Sequence, residues 1–295
     1  ALPAVVMLHG CTGIWSNREV GATNANGTPN LQNHIEKWGL KLASEGYVAL
    51  AVDTAARTAT LTIAGRKALN IIGTPEITAL TAALQQLAND PRLRVLVLRG
   101  RDDQAWIGGA DIHEMLTPDT AAAFSTLLKD LCEAIRLFPV PVIARLAGWC
   151  LGGGLEAALA CDLRLGSSQS QYGMPEVKVG IPSVIHAAML PRRVGMSAAT
   201  WLLLTGETIG ADEALRIDLL HQVHAPEALD AAVQATARQL AGLGPQVLRQ
   251  QKRLLRDWER LPLEDSIQRS VAEFARAFTT GEPQQHMQAF LQRRR

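Results

Sequence analysis

One carboxylate placed among residues that cannot solvate it constrains this chain more than any other feature. Glu156 stands in Gly152-Gly153-Gly154-Leu155-Glu156-Ala157-Ala158-Leu159-Ala160. Every neighbour is small or apolar, so a helix built from this run is apolar all round and belongs in the interior. A buried carboxylate costs free energy unless it is paired or used. The three glycines stand where the chain enters the helix. There they let backbone N–H groups approach a ligand closely, and a helix N-terminus favours negative charge. A carboxylate beside such a turn is the outline of an acid–base site.

The chain of 295 residues has room for one large domain or two ordinary ones, and its 47% hydrophobic content supplies a substantial core. A net charge of +1 argues for neither a nucleic-acid nor a membrane partner. No uninterrupted apolar stretch is long enough to span a bilayer, and no signal peptide is expected. Cys11, Cys132, Cys150 and Cys161 have no C-x-x-C spacing, so they are read as free thiols of a cytoplasmic protein.

Along the chain, Val5–Leu8 and Tyr47–Asp53 are apolar strands, with a helix expected over about 31–44 that stops at Gly46. A seam at 54–57 follows. Thr58–Ile63 alternates as a strand, and Val95–Leu98 and Val140–Leu146 are further strands. Helices are expected to start at Thr74-Pro75-Glu76 and Thr117-Pro118-Asp119, each with a hydroxyl cap before a proline. The first carries Ile77, Leu80, Leu84 and Leu87; the second carries Phe124, Leu127, Leu128, Leu131 and Ile135 on one face. From about Pro191 the pattern is helix after helix, with a short strand at Leu219–Pro226.

Three elements point to one site. Gly108-Gly109-Ala110-Asp111-Ile112 frees the backbone to present the Ala110 N–H. Gly152-Gly153-Gly154 presents the Gly153 N–H. Two donors from separate loops make an oxyanion hole for a carbonyl that becomes an enolate. Met174-Pro175-Glu176 supplies a second carboxylate, so that one can activate water while the other transfers a proton.

Residues 54–295 resemble the enoyl-CoA hydratase/isomerase (crotonase) superfamily. The likeness rests on Ala68-Leu69-Asn70, on Gly-Gly-Ala-Asp-Ile at 108–112, on Gly-x-x-x-Gly-Gly-Gly-x-Glu at 148–156 and on Pro175-Glu176, in that order. The resemblance implies an α/β fold: a crotonase-like ββα spiral over 54–190 with a helical C-terminal region over 191–295. It implies a homotrimer or a dimer of trimers, and an acyl-CoA substrate that brings its own coenzyme A, with no other cofactor and no metal. By carry-over, Ala110 and Gly153 hold the thioester oxygen, Glu156 activates water for attack at C3, and Glu176 delivers a proton to C2. Ala68, Gly109, Asp111, Ile112, Gly152 and Ser183 are expected to line the substrate. Having both glutamates favours hydration; an isomerase or another acyl-CoA lyase is the alternative within the fold. The chain departs from the family after the second glutamate, where Gly180-Ile181-Pro182-Ser183 carries a serine near an expected glycine. That departure leaves the acyl preference open and admits a binder without turnover.

Residues 1–53 resemble instead the amino-terminal part of dienelactone hydrolases, through Val5-Val6-Met7-Leu8-His9-Gly10 and Gly46 to Asp53. They are expected to form an isolated, loosely held β-α-β fragment. Gly148-Trp149-Cys150-Leu151-Gly152 also fits the nucleophile elbow of those hydrolases, which makes a thiol hydrolase acting through Cys150 a competing reading. His221 and His224, three residues apart, and His113-Glu114 lack the further ligands that a metal site needs. His186 is read as filling space, as are Trp106 and Trp149.

Overall fold

The computed structural model describes the backbone of residues 5–9 and 48–53, and residues 57–292 in full. Its centre is a set of mostly buried parallel strands. β3 (Thr58–Ile63), β4 (Val95–Gly100), β6 (Val142–Leu146) and β8 (Leu163–Ser167) lie side by side in parallel. Parallel strands covered on both faces have little need of polar positions, which is why Val95–Leu98 reads as a continuous hydrophobic run, while β3 keeps threonines and β6 and β8 each keep one arginine. Successive side chains still alternate. Leu96 and Leu98 enter the main core with Leu61, Ala144 and Leu146. Val95 and Val97 face the other way with Ile143 and Leu165, against Leu229, Val233 and Ala237 of a long C-terminal helix, Pro226–Ala241.

The connections repeat a pattern. After β4, β6 and β8 comes a three-residue strand in a second sheet, then a helical segment, whereas β3 leads to its helix through two isolated bridges. β4 leads to β5 (Ala105–Ile107) and α2 (Pro118–Arg136); β6 leads to β7 (Trp149–Leu151) and α3 (Gly153–Ala160). β8 leads to β9 (Gln171–Gly173) and a 3-10 turn, Pro175–Val179. This is the expected ββα spiral. The second sheet has the order β10-β9-β7-β5, in which β5, β7 and β9 are parallel and β10 (Thr208–Gly210) pairs antiparallel.

α1 (Thr74–Ala88) and α2 pack on the spiral by the faces that the sequence marks: Ile77, Leu80, Leu84 and Leu87, then Phe124, Leu128, Leu131 and Ile135. Thr117 caps α2 as expected, its side chain accepting from Thr120 N–H. At α1 the cap is Gly73 rather than Thr74, because the Glu76 carboxylate takes the Gly73 N–H at 2.8 Å.

The amino-terminal fragment is not isolated. β1 (Val5–His9) pairs in parallel with β2 (Val48–Asp53), and β2 pairs antiparallel with β3 over five residues. The physical reason is the edge: β3 would otherwise leave a row of backbone N–H and C=O groups unpaired. The helix expected over 31–44 and the thiol of Cys11 lie outside the described residues.

The C-terminal region is helical but not purely so. α4 (Leu190–Thr205) and α5 (Ala211–Arg216) flank β10, and β11 (Gln222–His224) returns to pair in parallel with β8. α6 (Pro226–Ala241), α7 (Pro245–Trp258), α8 (Leu263–Ala277) and α9 (Glu282–Gln292) follow. Charge ties α7 to the spiral. Lys252 Nζ and Arg256 Nη2 meet the two oxygens of Asp162 at 2.6 and 2.5 Å, at the residue that follows the end of α3 by two positions. Among the described residues no helix is long and apolar enough to cross a membrane.

Candidate active site

Three parallel neighbours in the small sheet aim their C-terminal ends at one place. The loop at 108–112 follows β5, the glycine turn follows β7, and Pro175-Glu176 follows β9. Ligands in open α/β sheets bind beyond the carboxyl ends of the strands. Strand pairing alone therefore gathers three segments that are distant in sequence.

The first loop is braced rather than loose. Gly108 N–H donates to Leu69 O at 2.8 Å, Ile72 N–H to Gly109 O at 3.1 Å, and Asp111 N–H to Ile72 O at 2.9 Å. Asn70 is fully buried and clamps the turn before it: Gly65 N–H donates to its Oδ1 at 2.5 Å, and its amide donates to Ile63 O and Trp106 O. The Asp111 side chain accepts from His113 N–H at 3.2 Å and pairs with Arg66 at 3.1 Å. It therefore holds the loop as a cap, and Arg66 reaches Glu76 and Glu114 as well. Gly109 has φ +148°, a conformation that side chains disfavour. Ala68 and Ile112 are exposed at the tips of their two loops. The Ala110 N–H has no acceptor among the described residues.

The second loop depends on glycine in two senses. Gly152, the N-cap of α3, has φ +54° and ψ −127°, and a Cβ there would stand 2.6 Å from Glu176 Oε1. Gly154 lies so close to β5 that a Cβ would fall 2.3 Å from Ile107 O. These contacts set α3 against its neighbours and leave the Gly153 N–H, in the first turn, without an acceptor among the described residues. Open N–H groups at a helix start are a ready anion site.

Glu156, one turn into α3, is 2% exposed. The single hydrogen bond of its carboxylate among the described residues is a long one, from His186 N–H at 3.3 Å. Burial raises its pKa to about 8, against the lowering influence of the His186 N–H, and the charge of Glu176 adds to the rise. Glu176 is half-buried in its 3-10 turn, and Ser183 Oγ donates to its Oε2 at 2.8 Å. The structure thus brings together Glu156, Glu176, Gly152 and Ser183.

Sequence reasoning missed the support behind Glu156. His186 is buried in the 3-10 turn Ile185–Met189, and its Nε2 meets Glu133 Oε1 at 3.0 Å. Burial lowers the His186 pKa despite Glu133, so the neutral ring donates to the carboxylate. Burial works against the Glu133 charge, but hydrogen bonds from Arg136, the Arg136 charge and His186 hold its pKa below the ordinary value. The pairing of a residue on α2 with one on a turn 53 positions later leaves no periodic trace in sequence.

The thiol-hydrolase reading fails on burial, and a pairing of His221 with His224 fails on their partners. Cys150 is wholly buried in the main core, and burial drives its pKa far up, so the elbow has no thiolate nucleophile. His221 Nδ1 accepts from Arg164 N–H at 3.1 Å, and His224 Nε2 meets Gln222 Oε1 at 2.9 Å, so the two rings serve separate neighbours. Trp106 is buried, as a packing residue should be, whereas Trp149 is exposed beside the glycine turn.

The pattern described as enoyl-CoA hydratase/isomerase matches residues 53–295. The chain belongs to the enoyl-CoA hydratase/isomerase family. It is 31% identical to the short-chain-enoyl-CoA hydratase of Clostridium acetobutylicum, over 81% of this chain and 93% of that one. It is also 31% identical to the crotonyl-CoA hydratase of Syntrophomonas wolfei, over 84% and 97%. Among solved structures, the enoyl-CoA hydratase of Mycobacterium smegmatis superposes with a TM-score of 0.80 at 26% identity, over 83% of this chain and 96% of that one. For a family member, the strand ends described above are where the chemistry has to be sought.

Proposed function

We propose that this enzyme hydrates 2-enoyl-CoA thioesters to 3-hydroxyacyl-CoA. The observation that supports the reading is that Glu156 and Glu176, together with the Ala110 and Gly153 N–H groups, which have no acceptor among the described residues, all follow the carboxyl ends of the neighbouring strands β5, β7 and β9. The Ala110 and Gly153 N–H groups hold the thioester oxygen as negative charge develops on it. Glu156 takes a proton from water, whose oxygen bonds to C3. The C2–C3 π electrons form a C2–H bond with a proton from Glu176. No electrons leave the system, so no redox cofactor is called for; coenzyme A belongs to the substrate.

The relatives named for short-chain and crotonyl thioesters make crotonyl-CoA the first probe. Expected is loss of the enoyl thioester absorbance with 3-hydroxybutyryl-CoA as product. A shifted double bond without water uptake would move the reading to an isomerase. Binding without turnover would leave a thioester-binding protein.

The homotrimer or dimer of trimers implied by the resemblance is supported by an apolar surface that is exposed among the described residues. Leu263, Ile267, Val271 and Phe274 form an exposed stripe along α8 at helical spacing. Sedimentation equilibrium should return three or six times the chain mass; a monomer at micromolar concentration would refute this. For residues 1–53 the resemblance to a hydrolase's amino-terminal part is the one guide. We read them as a fragment without the hydrolase's activity, its two strands serving to extend the sheet. The cytoplasm suits the free thiols of Cys132, Cys150 and Cys161.

A further inference from the structure

We propose that Ser183 is a positioning residue that decides which oxygen of Glu176 carries the proton bound for C2. The inference rests on the reading of Glu176 as the acid in hydration. The two oxygens of Glu176 have different surroundings. Oε2 accepts the Ser183 hydroxyl proton at 2.8 Å. Oε1 lies against Gly152, where a Cβ would stand only 2.6 Å from it. Oε1 is therefore the oxygen turned toward Gly152 in the glycine turn, and Oε2 is turned toward Ser183 in the loop that follows.

A hydroxyl has a single proton to give. While Ser183 donates to Oε2, that oxygen is an acceptor, and a proton held by the carboxyl group resides on Oε1. This is the side of the glycine turn, whose Gly153 N–H the hydration reading assigns to the thioester oxygen. Without the hydroxyl, nothing in this contact distinguishes the two oxygens. A proton on Oε2 would point into the 180–184 loop and away from the reacting carbons.

The chain is built to keep the pair together. The turn Pro175–Val179 ends at Gly180, with φ +81°, and Ile181 N–H donates back to Glu176 O at 3.2 Å. That reversal returns the chain to Glu176 within seven residues. Pro175 and Pro182 stand immediately before Glu176 and Ser183, and a proline restricts both its own φ and the residue preceding it. Ser183 is half-buried, and Glu176 is its one side-chain partner among the described residues. A serine that merely satisfied its loop would be expected to bond a nearby backbone group.

The test compares Ser183→Ala, Ser183→Gly and Ser183→Thr with the wild type in crotonyl-CoA hydration, in H2O and D2O, and adds the Glu176→Gln/Ser183→Ala double variant. Loss of a hydrogen bond to the protonated carboxyl group predicts a fall in kcat of about two- to tenfold for Ala and Gly. KM should stay within about twofold, melting temperature should be unchanged, and the solvent deuterium isotope effect on kcat should grow. Thr, which keeps the hydroxyl, should recover most of the loss. In the Glu176→Gln background Ser183→Ala should add little, since the proton it directs is gone. The proposal is overturned if Ser183→Ala retains kcat, if kcat falls with an unchanged isotope effect, or if the two substitutions are additive. A wild type that does not hydrate crotonyl-CoA overturns the hydratase reading itself, and this inference with it. Hydration that is indifferent to Ser183 overturns only the inference.

Discussion

Glu156→Gln is expected to lower kcat for hydration by roughly 10²–10⁴-fold, the usual worth of a general base, while making the protein more stable above pH 7. The two effects have one cause. Glu156 is 2% exposed, and among the described residues its carboxylate receives only a long hydrogen bond, from His186 N–H. Burial, joined by the charge of Glu176, holds its pKa near 8. In the unfolded chain the same carboxyl titrates at about 4.3. The folded state therefore keeps a proton that the unfolded state has already lost. Its stabilising contribution is complete below about pH 4.3 and is lost progressively as pH rises through about 8. Glutamine has no proton to lose, so the variant's advantage should be negligible near pH 4.5 and fully developed by pH 8.5. A gain on the order of 5 °C is expected there, from the usual relation between free energy and melting temperature. Thermal melts of both proteins at the two pH values would check it. Equal melting temperatures at pH 8.5 would mean that Glu156 is ionised and well paired at neutral pH. In the wild type, kcat/KM should climb as pH rises toward about 8, because the base works only when ionised.

Glu176→Gln is expected to cost a comparable 10²–10⁴-fold in kcat, with KM nearly unchanged, since the amide is no proton donor to C2. Glutamine still offers an oxygen to the Ser183 hydroxyl, so the loop should keep its place. A second consequence separates this variant from a general loss of structure. The Glu176 charge raises the Glu156 pKa, so removing that charge should shift the rising limb of the residual kcat/KM profile to lower pH. A profile that does not move would mean that the two carboxylates do not sense each other. Retained hydration would remove Glu176 from the mechanism and favour a one-carboxylate reaction such as isomerisation.

Much of this site is legible in the chain because its parts are local. A glycine turn before an apolar helix, with one carboxylate a turn later, is a pattern of consecutive residues, and the order strand, loop, helix repeats visibly through β4, β6 and the helices after them. The apolar faces of α1 and α2 follow from helical spacing alone. The role of Asp111 as a cap is local too, since its partner is His113 two residues on.

What the sequence by itself determined is the set of segments and the residue types they carry: two backbone donors, two carboxylates, and the family to which their order belongs. The tertiary structure alone decided which of these meet. The pairing of β5, β7 and β9 gathers three loops that are 20 or more residues apart, and the approach of His186 to Glu156 links residues 30 positions apart. Neither leaves a periodic signal. The structure also put the pKa of Glu156 near 8 and attached Ser183 to one oxygen of Glu176. It joined the strands of the amino-terminal fragment to the sheet, because an open edge is satisfied by whichever backbone reaches it. The physical reason is common to all of these. Burial, electrostatic coupling and edge pairing depend on distance in space, and residue order constrains that distance only over a turn or two of chain.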